Sequence, residues 1–162
     1  MAIAHPADAQ TEELLRWSQA WQRAGDSGPW VAISRDGHAR LHRPDFFRDP
    51  GAFELRLDPE EITALAHDVS LLESFDAREI RRRVEDQKRD RAERSQGTRS
   101  LSGPAPSRFK TPSREIVWRS PGSDAGLLGD DDAAAQLERL ARLEKRLLEL
   151  LSDPRRRPLE AP

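Results

Sequence analysis

Large apolar residues recur in this chain with two different periods, and each period predicts an element. Leu14, Trp17, Trp21 and Ala24 stand three, four and three apart, the spacing of an amphipathic helix over residues 11–24, which Gly25 and the DSGP after it would end. WVAISRDGHARLH alternates with period two and reads as a β-hairpin. A two-residue Asp36-Gly37 turn would mix apolar and charged groups on both faces. A three-residue loop, with Gly37 left-handed in a bulge, opposes Val31 to Leu41 and Ile33 to Ala39 and gathers all four on one face. The bulged register is the expected one. Phe53, Leu55 and Leu57 then alternate with Glu54 and Arg56 as a further half-buried strand.

Helical periodicity returns after DPEE. Asp58 caps, Pro59 fits the first helical position and Glu61 completes a capping box, so a helix burying Ile62, Leu65, Ala66, Val69 and Leu72 is expected. A second box, Asp76 to Glu79, opens the charged run REIRRRVEDQKRDRAER. The Gly, Ser and Pro-rich stretch through residue 113 reads as a linker, and Ile116-Val117-Trp118 as another strand. Residues 130–152 carry the strongest helical pattern, with Leu140, Leu143, Leu147 and Leu150 in one seam widened by Leu137 and Leu151.

The fold class expected from these elements is α+β: a small antiparallel sheet packed with helices, a long charged helix, a linker and a C-terminal leucine-rich helix. The expected organisation is a flexible N-terminus at 1–10, a small α+β module at 11–75, the charged helix and linker at 76–113, a strand and helix at 114–152, and a disordered tail at 153–162. Composition limits the core. Leu, Ile, Val and Phe number 33 of 162 residues, a fraction low enough to suggest that some segments need an outside surface. With no cysteine, thiol chemistry is excluded, and without a long apolar run a cytoplasmic protein is expected.

Candidate chemistry is thin, and no cofactor or metal is expected. Ser34, Asp36 and His38 contain the residue types of a hydrolytic triad, but they sit at a hairpin tip where turn formation explains Asp36, with no third group foreseen behind the histidine. His38 and His42 lie about 13 Å apart if they share a strand, too far to share a metal. The glycines at 122, 126 and 129 lead into a helix, yet the aspartates that follow would repel a phosphate. The expectation is therefore a non-enzymatic accessory or regulatory subunit that binds another protein, or a second copy of itself, through Trp17, Trp21, Phe109, Trp118, Leu140, Leu143, Leu147 and Leu150.

The alternative is a nucleic-acid-binding regulator using the Arg-rich helix and the basic tail. Its candidate contacts are Arg81, Arg82, Arg83, Arg91 and Arg94. Eight Arg or Lys face five Asp or Glu between residues 78 and 94, an excess of only three. Acids stand four residues before bases at Glu79 and Arg83, Glu85 and Arg89, and Asp90 and Arg94, the order that supports a solvated helix. A self-supported helical spacer is the expected role of this run.

Overall fold

The structure is a computed structural model, and it describes residues 11–20, 28–94, 105–129 and 131–159. The expectations for residues 1–10, for Trp21 and for most of the linker at 95–104 lie outside those residues. The fold is α+β as expected, with a sheet larger than the sequence suggested. In chain order the elements are β1 (Glu13–Gln19), β2 (Trp30–Ser34), β3 (His38–Arg43), β4 (Gly51–Arg56), α1 (Pro59–Leu71), α2 (Ala77–Arg94), β5 (Ser107–Lys110), β6 (Glu115–Trp118), α3 (Pro121–Leu128), α4 (Asp132–Leu150) and β7 (Arg157–Pro158). The seven strands are antiparallel in the order β6-β5-β1-β2-β3-β4-β7.

The bulged hairpin forms in the expected register. Val31 pairs with Leu41 and Ile33 with Ala39, and Gly37 takes φ +89°. Gly37 also accepts the Leu57 N–H at 2.8 Å, which ties the hairpin tip to the end of β4. The Glu61 carboxylate accepts the Asp58 N–H at 2.7 Å, and Asp76 accepts the Glu79 N–H at 3.0 Å, so both foreseen helix starts are present.

Pairing across the sheet lines up one apolar row, Ile116, Phe109, Trp17, Val31, Leu41, Phe53 and Pro158, one residue from each strand. Against this face α1 packs Leu65 and Val69, and α4 packs Leu137, Leu140, Leu143 and Leu147, so one hydrophobic cluster spans the whole molecule. The helices cover one face of the sheet, and among the described residues no helix packs on the other.

Three expectations are corrected. Residues 13–19 are a strand, not a helix: Leu15 and Trp17 share a strand face, and backbone bonds to β2 on one side and β5 on the other outweigh the helical spacing. The linker does not run to residue 113, because 107–110 form β5, whose Phe109 fills the core. The tail is ordered through Leu159. β7 pairs with β4, the Leu159 N–H reaches the Ala52 carbonyl, and Arg155 binds Glu61 and Asp153.

Candidate functional site

Every described residue named for partner binding lies inside the chain's own core. Trp17, Phe109, Leu140 and Leu147 are fully buried, and Trp118, Leu143 and Leu150 nearly so. They offer no surface to a second protein. Once β1 and β5 join the sheet, the described apolar segments cover one another.

The charged helix is docked and does not stand free in water. Ile80 and Val84 are buried. Arg83 pairs with Asp131 at the start of α4, and Lys88 reaches Asp124 on α3 at 3.0 Å. The Asp131 carboxyl is held below the ordinary range, first by the Ala134 N–H and then by Arg83. Within α2 the pairs that form are Arg82 with Glu79 and Asp86, and Arg89 with Asp86, in place of the three expected. Arg82 and Arg83 are thus committed to carboxylates.

Arg81, Lys88 and Arg91 share one face of α2 and line a cleft of about 890 Å³ between α2, the outer edge of β6 and α3. Arg119, just past β6, adds a fourth cation. Arg81 donates to the Val117 carbonyl at 3.0 Å and lies 4.9 Å from the Trp118 ring centroid. The Trp118 indole N–H donates to buried Asp124 at 2.9 Å, which also takes Lys88, and the exposed Glu85 adds a second carboxylate to the cleft wall. Arg94, at the last residue of α2, is exposed and outside the cleft.

The cleft continues onto the open face of the sheet through Val117, which belongs to both. Two rows cross that face. One runs Glu115, Lys110, Arg16, Ala32, Arg40, Glu54 and Arg157, a residue from every strand. The next runs Val117, Arg108, Ser18, Trp30, His42 and Ala52. The half-exposed Trp30 stacks on His42 with ring centroids 6.1 Å apart, and the Arg16 guanidinium lies 5.7 Å from its ring. Six Arg or Lys stand on the strands of this face against three Glu, whereas the whole chain is net −2. Arg16 pairs with Glu13 and Arg108 with Glu115, while Arg40, Lys110 and Arg157 have no carboxylate partner among the described residues.

The same face corrects one expectation about His38. A carboxylate does stand behind it, since Glu54 on the neighbouring strand lies 3.0 Å from His38 Nε2. Asp36 is spent on the turn, accepting the His38 N–H at 3.0 Å, and that bond lowers its pKa. Among the described residues no three His, Asp or Glu converge as a metal site would require, and no helix is long and apolar enough to cross a membrane. No protein-family model, curated protein or solved structure matches this chain.

Proposed function

We propose that the chain is a non-enzymatic binding module that lays a single-stranded nucleic acid across the open face of its sheet. The observation that carries this reading is the row from Lys110 through Arg16 and Arg40 to Arg157, running beside Trp30. Cations at these positions neutralise phosphates and release their counterions, and an aromatic side chain on the same face stacks on a base without preference for sequence. Ser18 pairs with Trp30, and Ala32 follows it on the same face of β2, so its immediate surroundings are low. Seven strands at about 4.8 Å span about 29 Å, room for several nucleotides. The cleft lined by Arg81, Lys88, Arg91 and Arg119 extends the track beyond β6.

A duplex fits less well, because the open face is a sheet surface and among the described residues neither a helix nor a ribbon projects from it to enter a groove. Binding to a protein through the buried segments is not proposed, since those side chains already fill the core. Among the described residues the exposed large apolar side chains are Phe46 between β3 and β4, Val117 on β6, Leu148 on α4 and Leu159 after β7. In this reading the chain works in the cytoplasm. The test is fluorescence anisotropy of labelled single-stranded and duplex oligonucleotides at low salt. Saturable binding of single strands that weakens with salt is the expected result; no binding to single strands at low salt ends the reading.

A further inference from the structure

Two arginines meet on the core side of the sheet, where β3, β4 and β7 end. Arg43 closes β3 and is 6% exposed, with its guanidinium 5.0 Å from the Phe47 ring centroid and 5.7 Å from that of Phe53. Arg156, one residue before β7, lies 5.4 Å from the same Phe53 ring. Both reach toward one carboxylate. Asp49 Oδ2 is 3.8 Å from Arg43 Nη1 and 3.6 Å from Arg156 Nη2, inside ion-pair range and outside hydrogen-bond range. Arg43 Nε and Nη1 and Arg156 Nε are buried with no hydrogen-bond partner among the described residues.

Withdrawing a guanidinium from water is costly unless its in-plane donors are met. The phenylalanine rings satisfy the guanidinium faces and leave those donors unmet. Burial is the main cause that lowers the Arg43 pKa, the nearby Arg156 charge adds to it, and Asp49 opposes it. Arg156 also feels the Asp153 carboxylate and donates to the Asp153 carbonyl at 3.0 Å, whereas among the described residues Arg43 has Asp49 as its one ion-pair partner. Asp49 is well exposed, on the loop between β3 and β4, so its carboxylate marks the side from which solvent reaches the pair.

We propose that Arg43 and Arg156 form a receptor for a small oxyanion, the carboxylate or phosphate group of a ligand, whose place at the mouth Asp49 holds. Planar guanidinium forks match two oxygens of such a group, and an oxyanion drawn between them meets the donors that Asp49 approaches without bonding. Arg43 lies on the opposite face of β3 from His42, so the site is separate from the open face and does not depend on the nucleic-acid reading.

The test is titration of the full chain with sodium phosphate and with sodium acetate, each against sodium chloride at matched ionic strength, followed through the arginine Nε–H resonances by NMR. Two resonances should shift saturably with phosphate or acetate and not with chloride, and the salt that saturates first identifies the oxyanion. Asp49→Ala removes the competing carboxylate and should lower the half-saturating concentration about fivefold, the effect of losing an exposed ion pair. Arg156→Gln should abolish the saturable shift. A response equal to that of chloride, or one retained in Arg156→Gln, overturns the proposal. If Arg156→Gln does not fold, Asp49→Ala still decides, because an unchanged or weaker affinity there overturns it as well.

Discussion

Arg155 Nη2 lies 2.7 Å from Glu61 Oε1, joining residues 94 positions apart and fastening the end of the chain to the first turn of α1. The same guanidinium holds Asp153 at 2.9 Å, and its Nη1 approaches Asp58 at 3.4 Å. Its hydrogen bonds are the main cause holding both the Glu61 and the Asp153 carboxyls below the ordinary carboxylate range. A carboxyl whose folded pKa is depressed contributes stability above its unfolded pKa of about 4, and that contribution is lost as pH falls through the lower folded value. Arg155→Ala should therefore cost about 1 kcal/mol at pH 7, as expected of a partly exposed network. The gap between variant and parent should close under acid. Urea unfolding of both at pH 7 and near pH 3 checks this, and an equal gap at the two values would show that the network is not the cause.

Gly37 carries the hairpin and the start of α1 together. Its φ of +89° is one that L side chains rarely adopt, and a Cβ there would lie 2.9 Å from the Leu57 carbonyl oxygen. Gly37→Ala should thus destabilise the fold by about 1–3 kcal/mol, from backbone strain and from displacement of β4's end. Asp36→Ala, which removes the bond to the His38 N–H and an exposed ion pair with Arg56 at 3.7 Å, should cost less. Denaturant midpoints of the two variants give the comparison directly.

Trp17 and Leu140 stand out in the sequence as candidate partner contacts. Both are fully buried in the chain's own core, so Trp17→Ala and Leu140→Ala should each lose about 2–5 kcal/mol. Loss of folding in the isolated chain is the expected result. If either variant kept parental stability and changed only the association state, the side chain would belong to an interface after all.

How far the sequence could be read follows from the range of the forces involved. The bulged register at Gly37, the Glu61 box and the leucine face of α4 are local patterns, decided within a few residues, and each formed as expected. β1 failed because Leu14, Trp17 and the residues beyond fit a helix period as well as a strand, and pairing with β2 and with β5, some 90 positions later, settles which. β7 carried no signal at all in RRRPLE; it is a strand because β4 offered a free edge and Arg155 found Glu61. α3 was missed because its PGSDAGLL is too short and glycine-rich for a helical period to show. The candidate site suffered in the same way. Arg81, Arg91 and the basic tail that carries Arg157 were named, but Arg16, Arg40 and Lys110 are scattered through the sequence and share a face with Arg157 only after the strands have paired.

Asp124 offers a test of how the docked helix is held. It is buried, accepts the Trp118 indole N–H at 2.9 Å and pairs with Lys88. Asp124→Ala leaves a buried donor unmet and should cost about 1–3 kcal/mol, whereas Asp124→Asn keeps an acceptor and should cost less. Lys88 is more than half exposed, so Lys88→Ala should cost under about 1 kcal/mol. The order of the three in thermal unfolding is the readout.

The open face makes the sharpest demand. Trp30→Ala should weaken single-strand binding by about 1–3 kcal/mol, the value of one stacked base, and should do so about equally across sequences. Arg40→Ala, which removes one phosphate contact, should also reduce the slope of log affinity against log salt by about 0.7. Arg82 on α2 is already committed to Glu79 and Asp86, so Arg82→Ala should leave both affinity and slope unchanged even though it removes the same charge. The contrast separates placement from net charge. If Arg40→Ala and Arg82→Ala weaken binding equally, attraction comes from the chain's overall field and the row across the sheet is not a binding track.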